Sequence, residues 1–395
     1  MKIDIIGAGP AGLLFAYLMK RDFPHYRIRV FEQNVADATF GFGVVFSGRA
    51  LHYLKEGDAG LINRLQSKMQ LWEDQHIVKN GERLVIDGSL YAAIERLTLL
   101  RELQSACQAL DIPIAYQQRI TDISQFADHD VLVAADGANS ALRDLYFDAF
   151  GSKVTDLGNF FAWYGVDHPY PAHTLTFQQT AQGVFCGHHY RYTPSRSTFV
   201  AEVDNDTWQR AGMFRMTNQE RQLLFETIFA ETLNGQKLLN NRSNWRRYRL
   251  VRNDQWYFGK IVLIGDALRT AHPSIGSGTR LAMEDAIELW RAFGTGAQAV
   301  EAIFHHYQTN RDPVRDKLNQ AAGASIAWYE GMAAKMSMNI HDFAHDYLMR
   351  TGIMTTQRLA AESPLFYTAL QQQQVSPVQL DSARGERCQP LNHRP

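Results

Sequence analysis

The stretch "KIDIIGAGPAGLLFAYLMKRDFPHYRIRVFE", residues 2–32, limits the fold more than any other part of the chain. The short apolar run from Ile3 to Ile6 reads as a strand of a parallel sheet, covered on both faces. Gly7, Gly9 and Gly12, with Ala11 between the last two, form Gly-x-Gly-x-x-Gly where that strand turns into a helix. Backbone amides and the positive end of the helix dipole then converge on one point, which suits a pyrophosphate. Twenty residues past Gly12, the second strand "RIRVFE" ends in Glu32, next to Gln33. An acid there accepts hydrogen bonds from a ribose diol and repels a 2′-phosphate, which leaves NAD or FAD as the ligand of this unit.

More of the same texture follows. "LTLLRELQSACQALDIPIAYQQRI" reads as helix then strand, and "HDVLVAADGANSALR" as strand, turn and helix start. From about Phe160 to Val203 the pattern becomes alternating: "HTLTFQQT", "GVFCGHHYRYTP" and "RSTFVAEVD" predict antiparallel strands joined by turns. The chain returns to α/β at "WYFGKIVLIGDA", and residues 281–349 have helical spacing. The predicted fold is therefore α/β: a doubly wound Rossmann-like domain, an inserted antiparallel sheet and C-terminal helices. The expected divisions are 1–155, 156–250 (the sheet), 251–320 (the return), 321–370 (helical) and 371–395, a polar loose tail.

With 395 residues, one large or two closely joined domains are expected. Lys plus Arg number 40 against 41 Asp plus Glu, so no charge footprint for nucleic acid or an acidic membrane exists. Cys107, Cys186 and Cys388 lie far apart, without the spacing of a redox pair or a zinc site, which fits a reducing cytoplasm. The N-terminal apolar run is broken by glycines and does not read as a signal peptide. No run reaches the length of a membrane span. Nor do His and acidic residues fall at metal-ligand spacings.

A second glycine-rich stretch, "KIVLIGDALRTAHPSIGSGTRLAMEDAIELW", occupies residues 260–290. With Gly7, Gly9, Gly12 and Glu32, and with Asp136, Gly137, Ser140 and Arg143 of "VLVAADGANSALR", its Gly265 and Asp266 complete three ordered motifs. In them the chain resembles the single-component FAD-dependent aromatic hydroxylases of the para-hydroxybenzoate-hydroxylase type. "ATFGFGVVFSGRAL", "FFAWYGV", "STFVAEV" and "HPSIGSGTRLAMEDAIEL" look most like the subgroup of salicylyl-CoA 5-hydroxylase and 2-aminobenzoyl-CoA monooxygenase, with a violacein-pathway tryptophan hydroxylase as a further relative.

The resemblance implies an inserted substrate domain and an extended FAD, with its AMP half on the first glycine loop and its isoalloxazine near the second. It implies hydroxylation of an electron-rich aromatic ring through a flavin C4a-hydroperoxide, with NADH or NADPH as reductant and O2 as co-substrate. The bifunctional relatives carry a second flavin domain where this chain ends, which implies hydroxylation without ring reduction. Asp266 is expected at the ribityl chain or pyrophosphate, and Gly276, Ser277, Gly278 and Thr279 at the pyrimidine edge of the flavin, after Pro273. Arg49, Arg101 and Val45 are expected beside the flavin. Asp136, followed by Gly137, either touches FAD and the nicotinamide nucleotide or simply forms a turn. One departure stands out: where the family commonly has Gly-Asp-Ala-Ala-His, this chain has Arg269.

For proton handling the candidates are His272, Tyr164 and His189, with His188 beside it. On a strand His188 and His189 point to opposite faces, so at most one of the two lines a cavity. Phe161, Trp163 and Phe199 are either core or substrate wall. The substrate expected from the closer resemblance is an aromatic acyl-CoA thioester, salicylyl or anthraniloyl in type, and Arg246, Arg247, Arg249 and Arg252 either meet its phosphates or form a basic surface strand. The looser resemblance implies a free indole or tryptophan-like ring. A non-hydroxylating flavin oxidoreductase and a non-enzymatic dinucleotide-binding protein are the other readings. The expected assembly is a monomer or a homodimer.

Overall fold

The computed structural model describes residues 1–39, 41–126, 128–272, 276 and 278–382. Strand Lys2–Ile6, helix Pro10–Asp22 and strand Arg27–Phe31 follow in the expected order. They belong to a six-stranded sheet ordered Tyr257–Phe258, Ile261–Leu263, Val131–Ala134, Lys2–Ile6, Arg27–Phe31, Ile114–Ala115. Every neighbouring pair is parallel except the first. From the central strand Lys2–Ile6 the chain runs to one side through Arg27–Phe31 and later to the other through Val131–Ala134. Strand order therefore reverses between Lys2–Ile6 and Val131–Ala134, and ligands bind outside the carboxyl ends at such a point.

The sheet is apolar because helices cover it. Ile3, Ile5, Val131, Leu132, Val133 and Val262 are fully buried in one core with Leu13, Phe15 and Leu18 of the first helix and Met283, Ile287 and Leu289 of helix Gly278–Phe293. Residues packed on both faces lose the alternation of a half-exposed strand, which is why the apolar runs predicted parallel strands.

The second sheet has eight strands: Leu238–Asn240, Lys153–Val166, Ser197–Val203, Gly183–Arg191, His173–Thr180, Gln75–Lys79 and Glu82–Ile86 in order, with Arg246–Arg252 also pairing to Lys153–Val166. Its centre is the predicted antiparallel meander. The hairpin Gln75–Ile86 was not anticipated: it lies within residues 1–155, yet it adds to the second sheet, with Gln75–Lys79 parallel to His173–Thr180. A small third sheet, Gly43–Ser47, Tyr91–Glu95 and Gln70–Trp72, stands between the two.

Register decides what each face of the large sheet carries. Phe161 lies opposite Glu202 and Glu202 opposite Cys186, while Trp163, Val200 and His188 form the next row on that face. Helix Val300–Glu330 and the segments after it cover this face: Trp328, Tyr329 and Phe343 pack with Leu175, Phe177 and Cys186. The opposite face carries Tyr164, Phe199 and Ala201, and packs against Trp208, Phe225 and Phe229 of the helices between Asn205 and Leu233.

The C-terminal helices continue further than expected. Helix Pro364–Ser382 runs into the segment read as a loose tail, whose residues 383–395 lie outside the described residues. Among the described residues no helix is long and apolar enough to cross a membrane.

Candidate active site

Three turns meet at the switch point of the six-stranded sheet. Gly7 has φ +108°, and a Cβ there would stand 2.2 Å from the Ala135 carbonyl oxygen; a Cβ on Gly12 would stand 2.1 Å from the Gly7 oxygen. The first glycine turn is thus pressed against both its own helix and the turn after Val131–Ala134, and no larger residue fits. Gly265 joins them from the third strand: its Cβ would lie 3.3 Å from the Ala11 Cβ and 3.2 Å from that of Ala282. Gly9 differs, since a Cβ there would meet open space. The helix that Gly9 caps has no side-chain cap and no acid in its first turn, so its N-terminal amides face that space.

Acidic groups ring the same cleft. Glu32 Oε2 accepts the Ala8 amide at 2.9 Å, and its Oε1 accepts the Asn34 amide at 2.8 Å and the Asn34 side-chain amide at 2.7 Å. Asp136 Oδ2 accepts the amide of Ala141 at 2.8 Å, whereas its Oδ1 is buried without a partner among the described residues. Burial holds the Asp136 carboxyl above the usual carboxylate range, against the opposing hydrogen bonds of Ser140 and of the helix start. Asp266 follows Gly265 in a tight turn; solvent reaches it, yet protein walls surround it. Crowding by these walls raises its pKa to about 6, Arg96 and Arg269 opposing and Asp285 adding to the rise. Gly276 closes the cleft from the other side, where its Cβ would touch Val45 Cγ1 at 3.4 Å, just before helix Gly278–Phe293 begins.

A row of aromatic and polar groups, the candidate chamber wall, begins beside this cleft at Tyr248, which feels the charge of Asp266. The rings of Trp163 and Phe161 lie 4.8 Å apart, Phe161 and Tyr248 5.6 Å, Tyr248 and His272 5.3 Å, His272 and Tyr329 6.4 Å, and Tyr329 and His188 5.2 Å. His188 Nε2 is 3.1 Å from Glu202 Oε2. His272 is almost fully buried, and burial pushes its imidazole towards the neutral form while the Glu202 carboxylate opposes that shift. Such an arrangement holds an apolar ring beside groups able to accept a proton.

The comparisons with known proteins point the same way. An FAD binding domain model matches residues 125–322, and an NAD(P)-binding Rossmann-like domain model matches residues 5–37. The chain is 31% identical over 362 residues to 3-hydroxy-4-methyl-anthranilyl-[aryl-carrier protein] 5-monooxygenase of Streptosporangium sibiricum, covering 92% of this chain and 97% of that one. The chain belongs to the FAD-dependent aromatic monooxygenases. Salicyloyl-CoA 5-hydroxylase of a Streptomyces species is 37% identical over 84% of this monooxygenase, which spans 65% of that relative's length. Protodeoxyviolaceinate monooxygenase of Chromobacterium violaceum is 29% identical over 88% of this chain and 94% of its own. Among solved structures, PqsL of P. aeruginosa superimposes with a TM-score of 0.68 at 17% identity, over 84% of this chain and 97% of that one, and so shares the fold.

FAD fits the residues present. The bare helix start beside Gly9 suits a pyrophosphate, and the unpartnered buried Asp136 Oδ1 is an acceptor in want of a donor. Gly276 presents bare backbone opposite Val45, so no side chain of its own bars a flat ring there. Pro273 and Ser277 lie outside the described residues. Thr279 is half-buried in the first turn of the helix that Gly278 opens, while Gln33 is exposed.

Two arginines expected beside the flavin hold surface ion pairs. Arg101 pairs with Asp37 at 3.1 Å and Arg49 with Glu362 at 2.7 Å, both at the surface. Arg96, the first residue of helix Arg96–Gln108, carries the charge that Asp266 feels. Sequence periodicity points Arg101 outwards, and only the fold reveals that the helix start meets the Gly-Asp turn.

Two proton-transfer candidates lie on the other face of the large sheet. Tyr164 is fully buried and accepts the Trp245 indole N–H at 2.9 Å, and His189 packs between Phe199 and Tyr170 with its Nε2 2.9 Å from Thr176 Oγ1. Both occupy the sheet face turned to the Asn205–Leu233 helices, because each is one residue out of phase with the chamber face. His188 is the histidine of that pair which reaches the chamber. Phe161 and Trp163 are wall, and Phe199 is core. Glu202 and Tyr329 had no sequence signal of their own.

Arg269 has a structural explanation. Its guanidinium turns away to Asp285 at 2.5 Å, and Arg311 joins Asp285 at 3.0 Å and Glu284 at 2.7 Å, all buried. It braces the middle of helix Gly278–Phe293, which packs against the Gly-Asp turn.

Proposed function

We propose that this monooxygenase hydroxylates an aromatic acid carried as a thioester, on a ring bearing a hydroxyl or amino group, with His272 beside the reacting ring. The single observation that carries the reading is the row of Trp163, Phe161, Tyr248 and His272 rings beside the Gly-Asp turn. The two relatives at 37% and 31% identity are named for a CoA thioester and a carrier-protein thioester, which supports a tethered acyl group. Arg246 supports it further: exposed at the chamber rim, its guanidinium lies 5.9 Å from the Phe161 ring and 5.8 Å from that of Trp163. Arg247 and Arg249 are engaged with Asn205 and Asp156, so Arg246, beside the Phe161 and Trp163 rings, suits a tether phosphate better than they do.

The first glycine turn and Glu32 would hold the AMP half of FAD, Asp136 and Asp266 its middle, and Val45, Gly276, Gly278 and Thr279 the ring. When bound, FAD supplies the redox chemistry, taking reducing equivalents from NAD(P)H and activating O2 for transfer to the substrate. The protein's own tasks are to wall off water, to hold the ring carbon in line, and to remove a proton from the ring hydroxyl or amine. Neutral His272 suits the last task, because it can accept a proton at neutral pH.

The reading also takes the protein as a cytoplasmic monomer or homodimer, supported by its free buried cysteines and balanced charge; light scattering distinguishes the two states. The substrate test is NADH and NADPH oxidation, O2 uptake and product analysis across salicyloyl-CoA, anthraniloyl-CoA, the free acids and indoles. Hydroxylated thioester in step with NAD(P)H use is expected. Product from free rings alone would replace the substrate class, and consumption without product would sink the hydroxylation of all of them.

A further inference from the structure

Glu202 is a carboxylate where the fold asks for an apolar residue. It is 3% exposed, on a sheet face whose neighbours Leu175 and Phe177 pack against Trp328 and Tyr329. Its Oε1 accepts the Asn159 side-chain amide at 2.8 Å and its Oε2 meets His188 at 3.1 Å. His188 Nε2 is also 3.5 Å from the Cys186 sulfur. Two further buried polar atoms of this cluster, Asn159 Oδ1 and the Tyr329 hydroxyl, have no partner among the described residues. Replacing a buried charged cluster by apolar side chains is commonly neutral or stabilising, so stability alone does not account for it.

The surrounding charges are arranged around a proton. His188 and Cys186 face Glu202 from its own sheet, and His173 stands beside His188. His272 and Tyr248 come from the loop and strand at the chamber, Tyr329 from helix Val300–Glu330, and Arg350 from the turn after Ile340–Met349. Despite burial, the hydrogen bonds of His188 and Asn159, with the His272 imidazole nearby, hold Glu202 below the usual carboxylate range, and so ionised.

We propose that Glu202 is the positioning acid of a buried relay, His272 to Glu202 to His188, that draws the proton from the substrate's ring hydroxyl or amine. The substrate O–H or N–H bond breaks, its electron pair stays on the heteroatom, and a new N–H bond forms on His272. The Glu202 carboxylate holds the resulting imidazolium, and His188 offers the exit. No electrons pass through the relay; the oxidation belongs to O2 and NAD(P)H. This rests on the aromatic-substrate reading above.

The test has two arms, both on FAD-loaded protein with Glu202→Gln, which keeps shape and removes charge. In the first, without substrate, ¹⁵N-histidine NMR follows the ionisation of His272 and His188, assigned through His272→Asn and His188→Asn. The apparent pKa of His272 should fall by about one unit in Glu202→Gln, a tenfold loss of proton affinity. In the second, with salicyloyl-CoA as probe, kcat should fall about 10²-fold at nearly constant KM, the acid limb of the pH profile should move, and Glu202→Asp should restore part of the rate. Unchanged histidine ionisation overturns the relay, and so does a pH profile that superimposes on wild type. If salicyloyl-CoA is not hydroxylated by wild type while the NMR shift is present, the relay is supported and the substrate reading alone falls. Should Glu202→Gln not fold, His188→Asn serves in both arms: the proposal expects a shifted His272 titration and acid limb, and unmoved ones overturn it.

Discussion

At the residue scale, neighbouring glycines of one motif should behave differently. A methyl at Gly12 has no room beside the Gly7 oxygen, so Gly12→Ala should lower stability by about 1–3 kcal/mol, read as a Tm loss even without FAD. A methyl at Gly9 meets open space, so Gly9→Ala should leave the Tm of the FAD-free protein unchanged and weaken FAD binding, measured by flavin fluorescence. Asp266→Ala should raise the FAD dissociation constant about tenfold, the range of one lost hydrogen bond to a charged group. Tyr164→Phe removes the acceptor of the Trp245 N–H; it should lower stability by about 1–3 kcal/mol while the coupling of NAD(P)H use to product stays as in wild type. The glycines, Glu32 and the Gly-Asp turn were legible in the sequence because each falls at a fixed place in a short strand-and-turn motif. Arg96, Glu202 and Tyr329 were not, since their roles come from partners on other elements of the fold.

At the element scale, the sequence predicted strands and helices well but not their pairings. Alternation in "GVFCGHHYRYTP" placed His188 and His189 on opposite faces, yet only register against Ser197–Val203 tells which face the chamber uses. The hairpin Gln75–Ile86 was hidden because it continues a sheet whose other strands come almost 100 residues later. Helix Gly278–Phe293 is tied to helix Val300–Glu330 by Arg311 on Glu284 and Asp285, with Arg269 as the third contact. Removing one partner leaves buried charge unmatched. Arg311→Met should therefore cost about 3–5 kcal/mol by urea unfolding, and FAD retention should fall with it because the helix carries the second glycine turn.

At the scale of the whole molecule, several histidines are kept neutral by burial: His173, pushed down to about 3, His189, well below its usual value, and His272. The unfolded chain protonates them near pH 6.5, so it binds more protons than the fold between that value and the depressed ones. Stability is complete above pH 6.5 and declines as pH falls through that window, by up to about 1.4 kcal/mol per pH unit for each histidine. Tm measured between pH 7.5 and 5 should drop steeply below 6.5, and a flat profile would contradict this burial.

The order of the six-stranded sheet also bears on how the chain is made. Lys2–Ile6 gains its inner neighbour only at Val131–Ala134, and that strand gains its own at Ile261–Leu263. A nascent chain therefore carries an open, apolar strand edge for most of its synthesis, long after the first helix has emerged. Such edges invite pairing with other chains, and non-local strand partners slow folding. Fragments that end before Ile261 should accordingly be sticky rather than native, and the cofactor cleft should come into being in one late event, when the third turn joins the first two.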